Sequence, residues 1–199
     1  MSAPLEIRQD QEGDLDGVWA LLHLAEETLA PDRVPPVNPD DPANRDILRI
    51  DDLYLRRGGA FLVGLRDGHL MAMGGIQRTT PGRAVVLRVR VHRDYQRCGY
   101  GRAIMQALEE RAAALGYATL HLDTTVTRVP AQRLYQGLGY REVGRVAPSP
   151  NWECILYENG LGHMKDNLCG KKFFCQSHKD KVRESTIVGE LMVLRLYPR

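Results

Sequence analysis

The sequence contains no apolar run near the roughly 20 residues that a bilayer-spanning helix requires, so no membrane partner is expected. Its opening, MSAPLEIRQDQEGDLDG, has no apolar stretch behind a basic one, and no secretory leader is expected there. An excess of one charge is missing too: 27 basic against 25 acidic residues leave a formal net charge of +2. That balance makes no electrostatic footprint for nucleic acid or an anionic membrane surface. Cysteine is scarce, and Cys98, Cys154, Cys169 and Cys175 are unevenly spread. Such usage fits reduced thiols in a cytoplasm better than a disulfide framework. Lysine is absent before Lys165 and recurs only at Lys171, Lys172, Lys179 and Lys181. A chain of 199 residues holds one well-formed core, so a single domain over 1–199 is expected, with 151–188 as a compositionally distinct insertion.

What is present is an alternation of strand and helix patterns. LEIRQD (5–10) alternates as a strand, and Asp14 is expected to cap a helical run with Leu15, Val18, Trp19, Leu22 and Leu29 on one stripe. The proline-rich stretch 30–42 reads as a loop, and NRDILRIDDLYLRR as a second helix ending before Gly58-Gly59. AFLVGLR, HLMAMGGIQRT and AVVLRVRV follow as an antiparallel meander joined at Asp67-Gly68 and Pro81-Gly82. A helix from about Gly101 to Leu115 comes next, buried through Ile104, Leu108, Ala112 and Leu115, with Gly116 as its stop. The remaining expected elements are a strand ATLHLDT, a helix PAQRLYQGL, a strand YREVGRV and a final strand ELMVLRLYP. ECILYE is the rival for that last place.

The junction QRCGYGR (96–102) puts two glycines, one residue apart, at the mouth of a helix. The first N–H groups of a helix lack intrahelical partners, and the macrodipole adds about half a positive charge there. An anion, most often phosphate, suits such a place. Two phosphate motifs are excluded. No lysine stands near enough for a Walker loop, and Ile104 occupies the third glycine position of a dinucleotide fingerprint. What remains is Gln96-Arg97-Cys98-Gly99-Tyr100-Gly101, a Q/R-x-x-G-x-G/A pattern at the end of the third meander strand.

This pattern resembles the coenzyme A pyrophosphate loop of the GNAT superfamily of N-acetyltransferases. PAQRLYQGLGYREVGR resembles the family's second signature, a helix with A-x-x-L-Y followed by a glycine-aromatic step into a strand. The resemblance covers roughly residues 5–147 plus the last ten. It implies an α/β fold with a mixed, mostly antiparallel sheet flanked by helices on both faces, acetyl-CoA as cosubstrate, and a primary amine as acceptor. It places cofactor contacts at Val89, Val91, Gln96, Arg97, Cys98, Gly99, Tyr100, Gly101, Arg102 and Arg128. Val91 would offer the backbone N–H that holds the thioester oxygen, and Arg128 stands where many relatives carry an asparagine. Leu87, Val89 and Val91 would share one strand face, with Arg88 and Arg90 on the other, where an edge paired to a helix or solvated is preferred to an acidic substrate as their partner.

Tyr135, the tyrosine of A-x-x-L-Y, is implied as the general acid, since a phenol near pKa 10 matches a thiol leaving group. Relatives often carry a glutamate base near position 85, which is Val85 here. That leaves Asp123, His121 or a water chain for the role. A non-catalytic CoA-binding or regulatory protein of the same fold is the alternative. Cys169, Cys175 and His178, with Cys154 and His163, match no familiar zinc spacing, and no metal is expected. Monomer and homodimer both remain open.

Overall fold

The computed structural model describes residues 5–25 and 34–163, which fall into two compact units, Met1–Leu120 and His121–Arg199. Among the described residues the architecture is α/β, with seven mostly antiparallel strands. In the first unit β1 (Glu6–Gln9), β2 (Ala60–Arg66), β3 (His69–Thr80) and β4 (Arg83–Val91) lie side by side in chain order, each antiparallel to the next. Asp67 (φ 52°) and Gly68 (φ 78°) both take the left-handed conformation that a two-residue hairpin turn needs. Helices α1 (Leu15–Leu24), α2 (Ile50–Leu53) and α3 (Tyr100–Ala114) complete this unit. The second carries β5 (Thr119–Thr125), which begins in the last residues of the first, then α4 (Val129–Gly137), β6 (Arg141–Ser149) and β7 (Trp152–Gly160). There β7 lies between β5 and β6.

The core of the first unit forms where α1 turns Val18, Trp19, Leu21 and Leu22 onto Ile47, Ile50, Tyr54, Phe61, Val63 and Met73. Trp19 Nε1 donates to the Pro35 carbonyl at 2.8 Å, which ties the proline-rich segment to α1. Two adjacent glycines let helices close on opposite faces of β3. A Cβ on Gly74 would stand 2.7 Å from Leu108 Cδ1 of α3, whereas one on Gly75 would stand 2.9 Å from Tyr54 Cδ1 and Phe61 Cδ2. Helix α3 buries Ile104, Leu108 and Ala112, with Tyr100 and Met105 in addition; Leu115 is only half-buried. It ends on paired bonds from Gly116 N to Ala113 O and Tyr117 N to Ala112 O, with Gly116 at φ 85°. That is the two-bond stop expected of a glycine there.

Five expectations are corrected. Asp14 does not cap α1 with its side chain; its carboxylate instead accepts from Arg8 at 2.6 and 2.8 Å and from the Gln11 amide at 2.9 Å. Leu15 is exposed and Leu21 takes the buried place, while Leu29 lies outside the described residues. The second helix is broken into short pieces, Pro42–Asn44, Ile50–Leu53 and Leu55–Arg57, because Arg49 departs from helical angles and Asn44 and Asp46 turn their side chains to Arg88. The segment after 150 is not wholly peripheral. Within it β7 pairs with β6 and buries Cys154, Ile155 and Tyr157, so ECILYE is a core strand. ELMVLRLYP and the lysine-bearing stretch lie outside the described residues.

The fifth correction bears on the site. Leu87 pairs with Gly75 and Arg90 with Met73, so Arg88 and Val89 together face the single residue Gly74. This is a β-bulge, with Arg88 at φ 56°. A left-handed arginine costs on the order of 1–2 kcal/mol. The extra residue breaks the alternation: Leu87 packs toward the α1 cluster, while Val89 approaches the Gly74 face, where Leu108 sits. Leu87, Val89 and Val91 therefore do not share one face.

Candidate active site

Each unit contributes its own set of predicted residues. In the first, β4 runs into a short 3₁₀ turn, Arg93–Tyr95, then Gln96 in extended backbone, then Arg97 at φ 60° and Gly99 at φ 89°. The first i→i−4 bond of α3 runs from Ala103 N to Gly99 O at 3.0 Å. The amides of Tyr100, Gly101 and Arg102 therefore precede the helical ladder and aim out of its mouth. A side chain at Gly99 would meet open space, so what calls for glycine there is the left-handed angle. Gln96, Arg97, Cys98 and Gly99 are all exposed, as is Arg102. Gln96 Nε2 bonds the carbonyls of Ala25 (3.2 Å) and Val91 (3.4 Å), which anchors the loop to the end of α1 and to its own strand.

Tyr100 sits differently from its neighbours. It is buried, stacked on Tyr95 at 6.3 Å between centroids, with its hydroxyl 3.4 Å from Arg66 Nη1. The Arg66 guanidinium covers the Tyr95 ring at 5.4 Å. Of Tyr100, then, only the backbone faces the helix mouth. The Arg66–Tyr95–Tyr100 stack is a support that motif reading missed. Its signal was two tyrosines flanking the loop and an arginine at the first hairpin.

In the second unit Tyr135 lies on α4, buried, its ring centroid 6.0 Å from that of Tyr140 and 6.1 Å from that of Tyr157. Gly139 (φ 93°) ends α4 and lets Tyr140 N return to the Tyr135 carbonyl at 3.0 Å. Burial pushes the Asp123 carboxyl up to about 6, against a smaller opposing effect of the Cys154 thiol that donates to it. Burial, then the Asp123 charge, pushes that thiol up to about 11. His121 is buried beside them on β5. Arg128 is exposed at the mouth of α4, where its carbonyl accepts from Ala131 and Gln132. Among the described residues, no group of three or more His, Cys, Asp or Glu side chains could hold a metal.

A left-handed glycine at a helix mouth, with successive outward amides and exposed arginines on both sides, is a donor set suited to a diphosphate. The model of the GNAT acetyltransferase family matches residues 21–140. The chain belongs to the GNAT acetyltransferase family. Acetyl-CoA is that family's cofactor, and the loop of this chain offers donors suited to the diphosphate of such a ligand. The Escherichia coli [ribosomal protein bS18]-alanine N-acetyltransferase is 35% identical over 72 residues, 36% of this chain and 49% of its own. Human N-acetylaspartate synthetase is 28% identical over 101 residues, 50% of this chain and 33% of its own. The chain thus spans a third to a half of the length of these relatives. A Staphylococcus aureus GNAT acetyltransferase shares the fold at a TM-score of 0.66 and 17% identity, covering 79% of this chain and 99% of the other. The Salmonella typhimurium acetyltransferase yncA, solved with its cofactor acetyl-CoA, gives 0.64 and 18%, covering 88% and 99%. Among the described residues, no helix is long and apolar enough to cross a membrane.

Proposed function

We propose that the protein transfers the acetyl group of acetyl-CoA to a primary amine by direct attack in a ternary complex. The observation that carries this reading is the helix mouth at Gly99–Arg102, where a left-handed glycine opens α3 directly after β4. Acetyl-CoA supplies the acyl group as a thioester. The amides of Tyr100, Gly101 and Arg102 hold its diphosphate, with Arg97 and Arg102 as exposed counter-charges. The Val91 N–H polarises the thioester carbonyl, an oxyanion-type contact. Tyr135 gives its hydroxyl proton to the departing sulfur, and Asp123 takes the proton from the amine. A carboxyl pushed up to about 6 is a better base near neutrality than an ordinary one, and this supports Asp123. The names of both curated relatives are those of N-acetylation, which favours nitrogen as the acceptor. A cytoplasmic setting accords with the free thiols Cys98 and Cys154.

Tyr135→Phe tests the chemistry, because it keeps the ring packing and removes one hydroxyl. With a reactive amine, kcat should fall about 100-fold or more while the Kd for acetyl-CoA stays within about threefold. An unchanged kcat would make Tyr135 a packing residue. Acetyl-CoA binding with no turnover of any amine by the wild type would favour a CoA-binding regulator.

A further inference from the structure

The bulge in β4 is held by a partner more than forty residues upstream. Arg88 Nε donates to Asp46 Oδ2 at 2.9 Å and Nη2 to Asp46 Oδ1 at 2.6 Å, a two-pronged carboxylate pairing. Nη1 reaches Asn44 Oδ1 at 3.1 Å, and Nη2 also reaches the Ala43 carbonyl at 2.8 Å. Asp46 is fixed in its turn, since the Tyr54 hydroxyl donates to Oδ2 at 2.7 Å. Tyr54 is fully buried and lies over Gly75, the residue paired with Leu87 just before the bulge. The path from Gly75 through Tyr54, Asp46 and Arg88 closes on the bulge itself.

We propose that Arg88 is a positioning residue for acyl transfer: clasped by Asp46, it holds the bulge that aims Val89–Val91 and ties that strand end to the segment entering α2. The inference rests on the reading that the Val91 N–H meets the thioester oxygen. A left-handed angle within a strand is costly for an arginine, and without the clasp the strand would relax toward regular pairing. A planar guanidinium bound on three sides fixes its own Cα with little play, which a lysine could not do. Because Asp46 compensates its charge, Arg88 is not a docking point for an acidic substrate. Its exposure, 21% of the side chain, is on the same scale as the 19% of Asp46. The clasp also reaches Ala43 and Asn44, directly after the proline-rich segment that α1 holds through Trp19. One guanidinium thereby sets both the strand end and the neighbouring loop.

The test compares Arg88→Ala, Arg88→Gly, Arg88→Lys and Asp46→Asn in the full chain. Glycine takes a left-handed angle without strain, so it removes the clasp yet leaves the bulge accessible. Displacing a reacting group by about 1 Å costs on the order of 100-fold in rate, so Arg88→Ala and Asp46→Asn should lower kcat by about 30-fold or more. Arg88→Gly should retain roughly ten times the kcat of Arg88→Ala, with Arg88→Lys between alanine and wild type. The Kd for CoA, read by calorimetry, should stay within about threefold throughout, because the diphosphate loop is built downstream of the bulge. Amide exchange at Val89–Val91 should quicken about tenfold or more in Arg88→Ala, and less in Arg88→Gly. Equal losses in the alanine and glycine variants with a raised KM for the amine would mean that Arg88 touches substrate. A lowered unfolding midpoint with unchanged kcat would mean a structural role alone. Either result overturns the proposal. If the wild type turns over no amine, the catalytic reading fails, and the exchange at Val89–Val91 still decides whether the clasp holds the bulge.

Discussion

Asp123→Asn should give a protein that is more stable at neutral pH and, with Asp123 as the base, about 100-fold slower. The carboxyl ionises near 3.8 when exposed and about 6 in the folded chain, so the native state binds its proton more tightly than the unfolded state. Stability therefore falls as pH rises between about 4 and 6, and above that window the folded chain carries the whole cost. Two pH units at 1.36 kcal/mol each make this about 3 kcal/mol. Asparagine carries no charge at any pH and can still accept from the Cys154 thiol. At pH 7.5 the variant should be the more stable by about 3 kcal/mol, and at pH 4 the two should agree within about 1 kcal/mol. Urea unfolding at both pH values measures the difference directly. Asp10, also pushed up to about 6 by burial and by Asp14, adds its own slope to both proteins, and subtraction removes it. If Asp123 is the base, kcat falls about 100-fold in the variant, and the wild-type rate falls away below about pH 6. A variant with wild-type pH dependence of stability would refute the burial argument. One that keeps its rate would refute the base.

Gly101→Glu places a side chain and a negative charge at the helix mouth, and calorimetry should show CoA affinity reduced at least tenfold, about 1.4 kcal/mol. Unchanged affinity in a folded variant would remove the diphosphate assignment. Ile155→Ala, at a position 4% exposed, should cost about 2–5 kcal/mol in chemical unfolding if β7 is core, and almost nothing if it is peripheral. Gly75→Ala would bring a methyl 2.9 Å from Tyr54 Cδ1 and Phe61 Cδ2, and should cost about 1–3 kcal/mol. A neutral result there would show that Tyr54 can move, which would loosen the clasp argument with it.

The meander was legible because its signals are local. Asp67-Gly68 and Pro81-Gly82 set the turns, and the strands between them alternate or run apolar over the lengths observed. The helix mouth was legible too, since glycines at a strand-to-helix step have few other uses. The bulge was not. LRVRV alternates cleanly, and nothing in it announces that Arg88 leaves the pleat, because the groups that hold it there stand at 43, 44 and 46. The same distance hid the broken second helix, whose polar residues serve Arg88 rather than the helix. Strand β7 was misjudged by composition. Its own stretch, WECILYENG, contains no lysine and pairs with β6 like any core strand, and the compositional change begins only at Lys165. The tie between Asp123 and Cys154 joins residues 31 positions apart in chains of ordinary strand character, and no spacing rule marks it.

Acetyl transfer from acetyl-CoA to an amine frees the CoA thiol, and that release can be followed continuously. Purified protein would be incubated with acetyl-CoA and a panel of primary amines, including free amino acids and peptides with alanine at the N-terminus. Free CoA would be followed with a thiol reagent, and the acetylated product by mass spectrometry. CoA release should depend on the amine, with an acetylated nitrogen in the product and a rate that Tyr135→Phe lowers about 100-fold. CoA release that no amine accelerates, with no acetylated product from a protein that binds acetyl-CoA, would contradict acetyl transfer.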